Sequence, residues 1–292
     1  MFVAIGAIML AAKGLFAKHL YGLGVDYETV AATRSVLAVP GFAIIAILSG
    51  SFRGEVRLKP LHAAAAIGAG LTCYYLGSMS NFYALTLIDA SVERSLLFTY
   101  PALVVLLSVL LGFEPLRKST LVALLATFVG IALVVGIDSS EVLNANIEGA
   151  LWVFFCALTI AVYFLVSAKL SPIMGSAMFT LLAMGAAGIA FAVHYEVTQG
   201  WLDVSMSTQA WVWLGALIIV ATIIPLSLIA EGVRRIGSQR AAFASTVGPP
   251  AAAVMAVVFL GEQISVFQLL GIAVVVTSIV YLEVTARPRR IP

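Results

Sequence analysis

Four ionisable side chains, Lys13, Arg34, Glu93 and Arg94, stand within or directly at the edges of long apolar runs of this sequence. In hydrocarbon a charge needs a partner or water, because insertion alone costs about 2.5 kcal/mol or more per residue. Two chemistries suit the set. Glu93 can meet one of the cations in a structural network of internal ion pairs, or the cations can line a vestibule that attracts an anion such as a carboxylate. Uncharged polar residues add a pattern of their own. Tyr74, Ser78 and Asn81 recur at i, i+4 and i+7, one face of an α-helix within an Ala/Gly/Leu segment. That face can hydrogen-bond a zwitterion, and it can equally tie neighbouring helices together. Trp152, Cys156, Thr159 and Tyr163 form a second stripe that mixes aromatic surface with hydroxyls, as a sparsely polar ligand pocket would. Trp152 also suits an interfacial anchor.

Catalytic patterns do not accompany these residues. The sequence holds no His-Glu-x-x-His pair and no Gly-x-Ser-x-Gly elbow. His19, His62 and His194 lie apart, near the ends of apolar runs, and read as interfacial histidines. Cys73 and Cys156 fall within apolar runs, where thiols behave as small hydrophobes, so neither a disulfide nor a metal site is expected. No cofactor and no enzymatic activity are expected either. A net charge of +2 divided among short loops argues against nucleic acid as a partner.

The elements that must position these side chains follow from composition. The chain is 62% hydrophobic and 10% charged, with a mean hydropathy of +1.10; soluble domains are about half apolar and a quarter charged. Such a chain needs lipid as its second solvent. Runs at 35–52, 63–88, 95–113, 119–137, 149–168, 170–195, 204–230, 241–261 and 263–282 each approach the ~20 residues a helix needs to cross. A further run opens at Met1 and closes near Lys18 and His19, too embedded in the pattern for a signal peptide. The runs are continuously apolar rather than alternating, which excludes a β-barrel. The expectation is an all-α membrane protein of ten transmembrane helices.

Sorting the cations among the loops orients it. Alternate loops hold Arg53, Arg57 and Lys59; Arg117 and Lys118; Lys169; Arg234, Arg235 and Arg240; and Arg287, Arg289 and Arg290, twelve of the sixteen, while 138–148 and 196–203 hold none. Short cytoplasmic loops carry the positive excess, so both termini are expected in the cytoplasm of a bacterial inner membrane. A shift of 148 positions aligns the halves: Pro101 meets Pro249, Glu114 meets Glu262, Leu121 meets Leu269 and Ile131 meets Ile279. The helices then divide as five plus five. An odd number of crossings forces the second copy to enter from the opposite side, giving an inverted repeat. The expected parts are a first repeat over 1–137, a periplasmic connecting loop over 138–147 and a second repeat over 148–292.

At these motifs the chain resembles a known family. Phe82-Tyr-Ala-Leu-Thr-Leu-Ile-Asp-Ala-Ser91, Tyr100-Pro101 and Gly112-Phe-Glu114 resemble the EamA repeat of the drug/metabolite transporter superfamily. In the second half, Val247-Gly-Pro-Pro250, Phe259-Leu-Gly-Glu262 and Gln268-Leu-Leu-Gly271 resemble its Pro helix, its Leu-Gly-Glu turn and its last helix; Arg34 in Ala-Ala-Thr-Arg-Ser matches the Arg of its second helix. The first copy departs from the pattern, reading Gly-Phe-Glu-Pro where Gly-Glu-Arg is usual. The resemblance spans the chain and implies a ten-helix carrier, commonly an exporter of amino acids or other metabolites; within the family the chain looks most like aromatic amino acid exporters of the YddG type.

The expected function is therefore export of a small metabolite, an aromatic or hydrophobic amino acid foremost, by alternating access. A purine or cationic drug exporter, a channel and a membrane-embedded enzyme remain the alternatives. The expected partners are the small-molecule solute and the lipid bilayer, with the protein as a monomer. Thr222 stands 148 positions after Tyr74, at the equivalent depth across a central cavity. Pro101 and Pro249 each remove a mid-helix donor and open a kink, with Thr99 and Thr246 near enough to meet the freed carbonyl. These two prolines, with Phe98 and Tyr100 beside one and Thr246 beside the other, are the expected gating elements.

Overall fold

The computed structural model describes residues 2–48, 59–112, 118–135, 140–201, 204–229, 245 and 247–285. These are almost wholly helical and include no strand. The helices are α1 (Phe2–Gly22), α2 (Tyr27–Leu48), α3 (Pro60–Gly70, continued by Leu71–Gly77 and Ser78–Leu87), α4 (Ala90–Leu110), α5 (Lys118–Val135), α6 (Ser140–Met174), α7 (Ser176–Thr198), α8 (Thr208–Ile229), α9 (Gly248–Leu260) and α10 (Val266–Thr285). Among these, α1, α2, α4, α6, α7 and α8 are long and apolar enough to cross a membrane, and α5, α9 and α10 hold shorter apolar stretches. Helix α3 has the length, but Tyr74, Tyr75, Ser78, Ser80 and Asn81 dilute its apolar character.

Large apolar side chains cover the outside: Leu48 is 81% exposed, Val197 80% and Phe259 68%, a surface suited to lipid. Inside, one apolar cluster joins α2, α7 and α8 through Phe42, Met184, Phe191, Leu214 and Leu217. A second joins α4, α6 and α10 through Leu97, Leu103, Val153, Ala157 and Ile272.

Several boundaries differ from the apolar runs. Helix α2 begins at Tyr27 rather than near residue 35, because Asp26 accepts hydrogen bonds from the Thr29 backbone N–H at 2.9 Å and the Thr29 hydroxyl at 2.5 Å. That cap places Arg34 two turns inside a helix. The segment 138–147, expected as a connecting loop, is helical from Ser140 onward. The α6–α7 junction falls at Gly175, whose φ of +83° turns the chain, instead of at Lys169, which stays inside α6.

The two halves keep the register read from the sequence. Helices α3 and α8 begin at Pro60 and Thr208, 148 residues apart. Helices α3 and α8 also each widen into a π-turn, beginning at Leu71 and at Ile219, again 148 residues apart. Where α5 crosses α10, Thr127 and Ser278 hydroxyls lie 2.8 Å apart, and a Cβ on Gly130 would come within 2.7 Å of Val275. Thr127 corresponds to Val275 and Gly130 to Ser278, so one contact becomes the other when the halves are exchanged.

Interior helices are interrupted where the polar residues gather. Helix α1 breaks at Ala12, beside Lys13, with the Ala12 N–H bonding back to Met9 O. Helix α4 breaks at Phe98–Thr99 and restarts at Tyr100. Irregular backbone at membrane depth persists only where protein or a cavity shields it, so these breaks mark the interior.

Candidate functional site

The Lys13 chain leaves α1 just after its break and meets two groups. Its ammonium hydrogen-bonds the Asn81 side-chain oxygen and lies 3.5 Å from Glu93 Oε1. The Asn81 amide nitrogen donates to that same Glu93 oxygen at 2.6 Å. Glu93 is 1% exposed and Asn81 equally so. A carboxylate at that depth is tolerable because a cation and an amide both meet it. The expected ion pair for Glu93 thus forms with Lys13, and Asn81 bridges it.

Arg34 sits elsewhere in the same interior. Its Nη2 donates to the Ser78 hydroxyl at 2.7 Å and lies 3.4 Å from Ser35 Oγ, and its Nη1 reaches Thr222 Oγ1 at 3.5 Å. Its guanidinium carbon stands 5.1 Å from the centroid of the Phe82 ring, and the Lys13 ammonium 5.6 Å from it. Phe82 is fully buried and its electron-rich faces suit both cations. Arg94 points its guanidinium at the start of α9, where a Cβ on Gly248 would lie 3.2 Å from Nη2.

The face expected on α3 meets three different partners. Asn81 serves Lys13 and Glu93, Ser78 serves Arg34, and Tyr74 sets its ring edge-on to Tyr163, centroids 5.0 Å apart. Thr222, in the π-turn of α8, is 1% exposed, donates to Leu217 O at 3.1 Å and accepts from Arg34. Tyr163 also contacts Phe179 at 5.3 Å. Thr159 instead donates to Cys156 O at 2.7 Å and packs so tightly on Gly77 that a Cβ there would overlap its hydroxyl. Phe98 is buried with Ala102, Leu124 and Ile279, and Tyr100 stacks on Phe164 at 5.2 Å.

Pro101 occupies the first turn of the restarted half of α4 rather than the middle of a kinked helix, and Pro249 occupies the first turn of α9. At that position the missing N–H has no partner to lose, so the interruption is relieved rather than strained. The Thr99 hydroxyl donates to Leu96 O at 2.7 Å, a carbonyl that also accepts the Thr99 N–H at 3.1 Å, and not to Leu97 O, four residues before Pro101. Thr246 and Glu114 lie outside the described residues.

Sequence reasoning missed a lock at the other end of α3. Glu262 accepts from Ala90 N at 2.7 Å, Ser91 N at 3.1 Å and Ser91 Oγ at 2.7 Å, capping the start of α4 with a carboxylate from the second half. Nearby, Lys18 lies 3.8 Å from Asp89. Burial and neighbouring Glu262 push the Asp89 carboxyl above the usual carboxylate range, against the pull of Lys18. The signal for the cap was present in Leu260-Gly-Glu262 as a motif, but a motif does not name its partner.

The EamA-like transporter family matches residues 1–136 and again 147–283, between them nearly the whole chain. The chain belongs to the EamA-like transporter family. The interior polar cluster is therefore that of a multi-pass membrane transporter built from two EamA units. A Bacillus subtilis relative named Uncharacterized transporter YcbK is 30% identical over 286 residues, covering 92% of this chain and 88% of its own length. A solved crystal structure superimposes with a TM-score of 0.67 over 98% of this chain and 97% of the other, at 19% identity, a likeness of fold. In EamA terms, Lys13, Arg34, Asn81, Glu93 and Arg94 all come from the first unit, and Thr222 from the second.

Proposed function

We propose that this EamA-like transporter is a ten-helix carrier of two inverted five-helix units in a bacterial inner membrane, exporting small metabolites from the cytoplasm. Amino acids with aromatic or hydrophobic side chains are the solutes we favour. The observation that carries this reading is the buried polar cluster of Lys13, Arg34, Asn81 and Glu93, set where α1 breaks and beside the π-turns of α3 and α8. Polar groups and broken helices at mid-membrane are costly, and carriers place both at the interface of their repeats. The exchange-related contacts of α5 with α10 and the shared offset of 148 support inversion.

In this reading Ser78, Asn81 and Thr222 offer polar contacts to the solute while Tyr74 and Tyr163 supply aromatic surface. Thr159 and Phe98 hold the frame. The break before Pro101 and the Pro249-led start of α9 let these helices move against the rest, giving alternating access. The basic loops place both termini in the cytoplasm. The test is counterflow in proteoliposomes loaded with an amino acid panel. Saturable, trans-stimulated exchange is expected; non-saturable flux would mean a channel, and no exchange of any amino acid would remove the favoured solute class.

A further inference from the structure

Among the described residues the membrane interior holds three cations, Lys13, Arg34 and Arg94, and one carboxylate, Glu93, already engaged by Lys13 and Asn81. Arg34 is 7% exposed, its hydrogen-bond partners are neutral hydroxyls, and its Nε is buried with no acceptor. An unmet donor on a buried guanidinium is among the more costly features a protein can keep. Its planar fork matches one chemical group above others, a carboxylate accepting two parallel N–H bonds.

We propose that Arg34 is the anchor for a carboxylate on the transported solute, which supplies the counter-charge the protein leaves out. This rests on the carrier reading above and names the group recognised. The surroundings of Arg34 fit an anion site that must form and dissolve. Ser78 follows the π-turn of the first unit and Thr222 lies within that of the second, so the site joins the two halves beside their matching π-turns. Both hydroxyls can turn to donate to a carboxylate once it arrives. The Phe82 ring keeps the guanidinium in place without neutralising it. π-turns frequently accompany functional sites because they free backbone groups and tolerate adjustment.

The test compares each amino acid of the panel with three analogues: its primary amide, its decarboxylated amine and its deaminated acid. Binding to the purified wild-type protein is read by calorimetry or thermal shift. Acids should bind at least tenfold tighter than the matching amide and amine. Arg34→Gln should erase that preference, and Arg34→Lys should retain part of it. Should Arg34→Gln not fold, the wild-type series decides by itself. Amides and amines binding as tightly as acids would overturn the proposal while leaving the carrier intact, and so would binding of no carboxylate at all. Binding of deaminated acids but not amino acids would uphold Arg34 and remove the amino acid assignment.

Discussion

The two EamA units start α3 and α8 148 residues apart and widen them at matching points, yet their polar residues differ in kind. Where the first unit has Lys13 and Arg34, the second has Ala161 and Leu182. The common part is the frame; the charged part belongs to one unit. A duplicated fold needs matching helix starts and crossings on both sides, because the halves pack on each other. It does not need matching chemistry, and a site at the junction can draw its charge from one half and a hydroxyl, Thr222, from the other.

The sharpest way to break this contrast is to remove the first unit's charges. Glu93→Leu should destabilise the protein by about 3 kcal/mol, since it leaves the largely buried Lys13 without its counter-charge. Lys13→Met combined with Glu93→Leu should recover most of that loss, because it removes both charges of the pair and strands neither. Unfolding midpoints in detergent micelles measure both; a double variant no better than the single one would mean the pair is not the unit of stability.

A smaller effect tests the frame. Gly77→Val should cost about 1–3 kcal/mol by forcing Thr159 aside, and Thr159→Ala should relieve part of it; equal midpoints with and without the relief would refute that contact. Glu262→Gln should cost about 1 kcal/mol, because a neutral amide still reaches Ala90 and Ser91 but loses the charge at the start of α4. Smallest is the α5–α10 crossing, where Thr127→Val should cost about 0.6 kcal/mol, the usual scale of a hydrogen bond between membrane helices. Ser278→Ala should match it, and the two should not add, since they share one bond.

Much of this contrast was legible in residue order. Uninterrupted apolar runs gave membrane helices, and one shift aligned Pro101 with Pro249 before any helix start was known. The polar face of Tyr74, Ser78 and Asn81 was visible because helical periodicity survives the π-turn well enough to keep them facing inward. The partner of Glu93 was not legible, since Lys13, Arg34 and Arg94 were equal candidates until α1 and α3 crossed. The same holds for Thr159, whose hydroxyl suits a pocket but is taken up by its own backbone and by Gly77. The first turn of α2 is not legible in hydropathy because the Asp26 cap acts through hydrogen bonds that hydropathy does not record. The Pro101 break was read as a kink because a proline's place within a helix depends on where that helix restarts.

The central claim is that two matching units lie oppositely across the bilayer, and cysteine accessibility tests it most directly. Lys59 and Ser207 precede α3 and α8 at equivalent positions, and native Cys73 and Cys156 are buried, leaving a low background. In intact cells a membrane-impermeant maleimide should label Ser207→Cys from outside and reach Lys59→Cys only after the membrane is opened. Labelling of both from the same side would contradict the inverted arrangement and the carrier built on it.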